Sequence, residues 1–167
     1  MKYAFLTVFA LISTFSFSQK AEGLNPFEAL DSNIGATINI MKSSEHKIAI
    51  SGDPDRISHI TWEVDDKNLK IRSDRGNINF DDVIITAFTP SISALALRDG
   101  GIATVDEHFA RVESFTASAK NGATVDLTHI EFKNLVAHSS FGGQVVYKSG
   151  GKIGGSTEDE DKEKGAP

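Results

Sequence analysis

The chain has 167 residues, 17 Lys+Arg against 23 Asp+Glu, a formal net charge of −6 and no cysteine. This is an ordinary globular composition, with room for one sizeable domain. The absence of cysteine excludes a disulfide framework, a thiolate metal centre, a cysteine nucleophile and a lipidated cysteine anchor. The acidic balance leaves no basic excess to neutralise phosphates, so nucleic acid is not an expected partner.

In chain order, residues 1–18 (MKYAFLTVFALISTFSFS) combine a positive start at Lys2, an apolar stretch over Tyr3–Ile12, and a small-x-small site at Ser16-Phe17-Ser18. The apolar stretch falls short of the roughly 20 residues that span a bilayer. It therefore reads as a signal peptide, with an uncut anchor as the alternative. Cleavage removes Lys2 and takes the net charge from −6 to −7. An exported, cysteine-free chain of this kind looks bacterial, bound for the periplasm, outer surface or medium, with no stable membrane span once the signal is gone. Residues 19–26 read as an N-terminal linker.

Ile34–Ile40 and His46–Ser51 alternate apolar and polar residues on either side of a Lys42–Glu45 turn. Asp53 and Pro54 are suited to cap and open a single helical turn. Ile60–Val64 and Leu69–Ser73 flank Asp65-Asp66-Lys67-Asn68, a hairpin loop. Asp81–Thr89 then runs into Pro90. From there a period of twenty lines up without gaps: Leu95, Phe115 and Leu135, then Leu97, Ala117 and Ala137, then Val105, Val125 and Val145. Ile92, Val112 and Phe132 precede the first column, and Pro90, Ala110 and Ile130 precede those. Corners fall at Gly100-Gly101, Asn121-Gly122 and Gly142-Gly143. Short alternating strands broken by glycine corners predict an all-β chain whose second half is a single-stranded parallel β-helix, or β-solenoid, with coils of ~20 residues. The first half reads as more irregular, hairpin-like coils. One coil buries too little to offset the ordering of its own backbone, so coils must stack to be stable. The end, 156–167 (STEDEDKEKGAP), has no apolar residue but Ala166 and reads as an acidic disordered tail.

The order of these pieces resembles the head GIN domain family, described as putative auto-transporter adhesins. FEALDSNIGATINI resembles the family's entry strands around an Ile-Gly. HKIAISGDPDRI resembles its strand ending in Gly-Asp before a short turn. ITWEVDDKNLKIRS resembles its strand pair around a charged turn, and VIITAFTPSISALALRDGG its proline and Leu-x-Leu passage. The resemblance covers 27–155 and implies an exported β-solenoid domain, no established enzymatic activity, and a role in adhesion or binding. One departure is that the chain ends soon after the third coil, which leaves the cap of the last coil open.

Chemistry is sparse. His46, His59, His108, His129 and His138 show no metal-ligand spacing, so no metal and no cofactor is expected. No Gly-x-Ser-x-Gly elbow supports a serine triad, and Gly150–Gly155 lacks the Lys-Ser/Thr ending of a phosphate loop. If Val105, Val125 and Val145 point inward, then Thr104, Asp106, Thr124, Asp126, Gln144 and Val146 point outward. In that register Thr104 stacks on Thr124 and Asp106 lies near Asp126. A cation or sugar hydroxyls would relieve the repulsion, although hydrated aspartates among strand-forming threonines need no ligand. Trp62 is a core residue or a sugar-stacking one. The chain reads as a non-catalytic exported adhesion-type module, presenting a solenoid face to carbohydrate or a surface protein. End-to-end self-assembly is the alternative, and a polysaccharide-active β-helix enzyme the weakest reading.

Overall fold

The computed structural model describes residues 18–109, 111–148 and 152–158. The expected signal sequence, apart from Ser18, lies outside them, as do 159–167 of the expected tail. The chain is all-β. The first strands are β1 (Ser18–Gly23), β2 (Ala29–Ser32), β3 (Thr37–Lys42) and β4 (Lys47–Gly52). A single helical turn, α1 (Pro54–Ser58), follows. The Asp53 side chain accepts the amides of Asp55 and Arg56 at 2.9 and 3.3 Å, and Pro54 opens the turn without losing a hydrogen bond. Next come β5 (Ile60–Asp65) and β6 (Asn68–Ser73), an antiparallel hairpin. Asp66 and Lys67 both have positive φ, 48° and 60°, as such a tight turn requires.

The remaining strands are β7 (Ile84–Thr89), β8 (Ala94–Leu97), β9 (Ile102–Val105), β10 (Arg111–Lys120), β11 (Thr124–Leu127), β12 (Glu131–Ser140), β13 (Gln144–Tyr147) and β14 (Lys152–Glu158). A 3₁₀ turn, Glu107–Phe109, lies between β9 and β10. The strands form two seven-stranded sheets. Sheet A runs β1-β4-β7-β3-β9-β11-β13 and sheet B runs β14-β12-β10-β8-β2-β6-β5. From β8 onward each successive strand belongs to the other sheet. Pairing is parallel except at one end, where β1/β4, β4/β7 and β5/β6 are antiparallel. The core is built from registered columns. In sheet A, Ile50, Ile85, Ile38, Ala103, Val125 and Val145 are lateral neighbours. In sheet B the column is Leu69, Leu30, Leu95, Ala117 and Ala137.

The gapless twenty-residue alignment needs correction in its first copy. Phe115 does pair with Leu135, and Val125 with Val145. Leu95, however, pairs with Ala117, and Ala103 rather than Val105 pairs with Val125. The offset between paired residues is thus 22 at Leu95–Ala117, 20 at Phe115–Leu135 and 18 at Leu135–Ile153. The cause of the first is visible. The link from β9 to β10 spans 106–110 and holds the 3₁₀ turn, whereas 128–130 suffice between β11 and β12. Phe109 and Ile130 are each buried at their corner despite the difference in length. Both departures from twenty are even, so inward residues stay inward.

Three further expectations change. Residues 19–26 are not simply a linker, because β1 pairs with β4 and the Leu24 amide bonds the His46 carbonyl at 2.8 Å. This pairing covers what would otherwise be an open edge of β4. The strands around the Lys42–Glu45 turn do not pair with each other, since β7 lies between β3 and β4. At the other end, β14 reaches Glu158 and takes in the first residues of the expected tail.

The corners stack as well. Asp99-Gly100, Asn121-Gly122 and Phe141-Gly142 each have positive φ at both residues, and the first and third turns begin one residue before the expected corner. The Gly100 amide bonds the Asn121 carbonyl, the Gly122 amide bonds the Phe141 carbonyl, and the Asn121 side chain donates to Asp99 Oδ1 at 2.9 Å. Asp and Asn accept the left-handed conformation readily, but Phe141, at φ 51° and 62% exposed, does not. Phe141→Asn should therefore raise the unfolding free energy by about 1 kcal/mol. Gly101→Ala should lower it by about 1–3 kcal/mol, because the new Cβ would stand 2.8 Å from the Ile34 carbonyl oxygen. Gly23→Ala, with nothing within 4 Å, should be near neutral. Urea denaturation of the three variants checks the set.

Candidate functional site

The outer faces of the two sheets differ in chemistry. On sheet B, one lateral row reads Glu63, Lys70, Asp31, Ala96, Ser118 and His138. Asp31 and Lys70 of this row, and charges elsewhere on the sheet, are engaged locally. Arg72 and Arg98 approach Asp31 at 2.8 and 3.7 Å, Lys70 meets Asp65 at 2.6 Å, and Lys133 meets Glu113 at 3.0 Å.

Sheet A presents two rows with almost no charge. The first reads Ser51, Ile84, Thr37, Ile102, Thr124 and Gln144. The second reads Ala49, Thr86, Asn39, Thr104, Asp126 and Val146, with Asp126 its sole charge. Neighbours within a row are ~4.8 Å apart, and the rows are separated by two residues of strand, about 7 Å. Ile84 and Ile102 are 45% and 48% exposed, and Met41 and Val146 add further exposed apolar surface. The threonines, isoleucines and valine of these rows are β-branched and have few rotamers to lose on contact.

The expected site residues fall partly on this face. Thr104, Thr124, Asp126, Gln144 and Val146 are there, but their stacking is shifted. Thr104 lies beside Asp126, and Thr124 lies between Ile102 and Gln144. The Thr104 hydroxyl donates to Asn39 Oδ1 at 3.0 Å. Asp106 does not neighbour Asp126 in the rows. It sits just beyond β9 and accepts the Lys42 amide at 3.1 Å, the His108 amide at 3.1 Å and the His108 ring at 2.7 Å. Asp126 accepts the Thr128 amide and hydroxyl at 2.9 and 2.7 Å. Both carboxylates therefore tie down the corner that follows their strand, and the extra two residues before β10 dissolve the expected charge stack.

The rows also contain Thr37, Asn39, Ile84, Thr86 and Ile102, which the repeat alone did not bring to the site. Their signal is the alternation in TINI and IITA. What was missing is the pairing that sets β7 and β3 beside β9.

Trp62 is half-buried against the core on the end strand β5, and the Lys20 ammonium lies 4.2 Å from its ring centroid, over the face that a sugar would need. The histidines are dispersed. His46 Nδ1 accepts the Phe27 amide at 3.2 Å, and its ring meets Phe27 edge-on. His59 contacts Asp74 at 3.0 Å, His129 lies at the corner after β11, and His138 is exposed on β12. Among the described residues no three His, Asp or Glu side chains converge as a metal site, and no helix is long and apolar enough to cross a membrane.

Residues 26–156 match the family model described as "putative auto-transporter adhesin, head GIN domain". Three solved structures are similar in fold. A putative adhesin from Bacteroides fragilis NCTC 9343 has a TM-score of 0.71 at 17% identity, covering 84% of this chain and 65% of that one. A putative adhesin from Parabacteroides merdae ATCC 43184 has a TM-score of 0.63 at 17% identity, covering 80% and 57%. A putative lipid binding protein from Parabacteroides distasonis ATCC 8503 has a TM-score of 0.60 at 13% identity, covering 86% and 68%. The chain thus spans less than two thirds of the length of the first two. No curated protein matches.

The corner carboxylates make stability depend on pH. Burial pushes the Asp126 carboxyl upward, but the Thr128 hydroxyl and amide and the nearby His129 outweigh it and hold the group below the usual carboxylate range. Asp106 is likewise lowered, burial being outweighed by the His108 amide and ring and the Lys42 amide. A depressed carboxylate stabilises the fold above its unfolded pKa of about 3.9 and ceases to do so as pH falls through its folded value. His108 is raised, chiefly by its hydrogen bond to Asp106. Its contribution is complete below about pH 6.5 and fades as pH rises through its folded value. Denaturation midpoints measured against pH should drop on the acid side, and Asp126→Asn should shallow that drop. An unchanged acid slope would show that the Thr128 contacts do not hold the carboxylate.

Proposed function

Because the chain belongs to the head GIN domain family, we propose that it is an exported, non-catalytic binding module of the adhesin type, which contacts its target through the outer face of sheet A. The observation that carries this reading is the pair of rows with Asp126 as their one charge, bearing threonine hydroxyls beside exposed Ile84 and Ile102. A partner laid on such a face strips water from few ions, so desolvation costs little. Regularly spaced hydroxyls and apolar patches suit either a carbohydrate or the surface of another protein.

The architecture behind this face is, on this reading, a single-stranded parallel β-helix. The alternation of successive strands between the sheets and the parallel offsets of 22, 20 and 18 residues support it. Export is read from 1–18. Cleavage before Gln19 would leave all but the first residue of β1 in place.

The test uses the purified protein beginning at Gln19, applied to bacterial envelope fractions and to immobilised glycans. The parent should bind without releasing product. Ile102→Glu combined with Thr124→Lys should weaken binding at least tenfold at unchanged melting temperature, since both side chains point away from the core. Equal binding by parent and double variant would move the contact off sheet A.

Self-association is a second reading, favoured by one observation. Among the described residues β13 has no strand on its outer side, and Val145 and Tyr147 are only half-buried there. Oligomers that grow with concentration in sedimentation would support it, and a monomer at high concentration would remove it.

A further inference from the structure

A recess of about 500 Å³ lies at the corner where β2 leads to β3 and β8 to β9, beside the segment joining β6 to β7. This volume is within the range of about 300–1,000 Å³ common to small-molecule sites. Ile78 and Phe80 supply apolar lining, with Phe80 buried in the core.

The polar groups around the recess fall into two sets. Asn79 and Asp81 are occupied with each other, the Asn79 side chain donating to Asp81 Oδ2 at 2.9 Å and the Asp81 amide donating back at 2.7 Å. The second set has bonding capacity left over. Asn33 Oδ1 is shut off from solvent with no hydrogen-bond partner. Among the described residues the Arg75 guanidinium and the Asn77 side chain have no protein partner. Asp99 spends Oδ1 on Asn121 and keeps its second oxygen. Asn33 Oδ1 is sealed in the wall behind the recess, as are four other unpartnered side-chain oxygens elsewhere among the described residues, so the groups that a ligand could reach are Arg75, Asn77 and the second oxygen of Asp99.

The arrangement selects a ligand class. Arg75 stands against two carboxylates, Asp81 and Asp99, so the lining carries a net negative charge and does not suit an anion. A metal ion is equally unsuited, because the guanidinium is present and no ligand cluster forms. Free donors and free acceptors together, around a mostly polar lining to which Ile78 adds apolar surface, match a neutral molecule whose adjacent hydroxyls both give and take hydrogen bonds. Resting on the adhesin reading above, we propose that this recess binds a sugar unit of a neutral glycan. The sheet A rows would then extend the same site. Gly35 and Asp99 line the recess two and three residues before Thr37 and Ile102, which sit side by side in the first row.

The experiment applies the purified full-length mature chain to an array of neutral, sulfated and sialylated glycans, with Arg75→Ala and Asn77→Gly as variants. Arg75 has no partner to lose, and glycine suits the φ of 60° at Asn77. Neither change should move the melting temperature. Binding to neutral glycans is expected, weakened at least tenfold by Arg75→Ala and further in the double variant. Parental affinity in both variants would overturn the recess as the site while leaving the adhesin reading intact. Binding confined to sulfated or sialylated glycans would overturn the ligand class. Adhesion to envelope fractions with no glycan bound would overturn the sugar proposal alone, and no binding to either would overturn both.

Discussion

Parallel pairing between one passage of the chain and the next is the constraint on which the rest depends. A four-residue strand such as β8, β9, β11 or β13 cannot satisfy its own backbone groups, and each takes its hydrogen bonds from strands about twenty residues away or, on one side of β8 and β9, 65 residues away. That pairing also fixes the interior. It sets Leu30 beside Leu95 and Ile38 beside Ala103, so that the buried surface of one passage is completed by its neighbours. No passage is a folding unit by itself. The ends are therefore the places where the structure must do something different, and at one end it changes to antiparallel pairing through the β5–β6 hairpin and through β4 and β1.

Much of this was legible because period-two alternation and glycine turns are local signals. The inward residues of β3, β4, β6, β8, β10 and β11 could be read off directly, as could the Asp53 cap and the Asp66-Lys67 turn. What escaped were the properties set by pairing between distant segments. The 3₁₀ turn at Glu107–Phe109 adds two residues whose only mark in the sequence is a corner slightly too long, and Phe109 fills its place much as Ile130 does. Nothing local in β7 announces that it lies between β3 and β4. The stretch before Phe27 looked like a linker because its strand pairs with a partner some thirty residues on and contributes little to the core.

The candidate site was legible in part for the same reason. Outward positions follow from inward ones, so Thr104, Thr124, Asp126, Gln144 and Val146 were placed together on the outer face of one sheet. Which of them are neighbours depends on register, and a shift of two residues replaced a pair of facing aspartates with Thr104 beside Asp126. Both aspartates proved to be bonded to the corners that follow them, a role that an Asp two residues before a Thr or His can suggest only once the strand end is known. The recess around Asn33 and Arg75 was not legible at all, since its residues come from three separate segments.

The 3₁₀ turn has a consequence for how such a surface can diversify. Alternation registers only whether a number is odd or even, so a corner can gain or lose residues in twos while every interior side chain keeps its orientation. Each such change slides one strand's exterior pattern past the next, as the marks on a vernier scale move against each other. New combinations of surface neighbours thus arise without any substitution on the face itself, and the interior has only to accommodate a displaced methyl or ring.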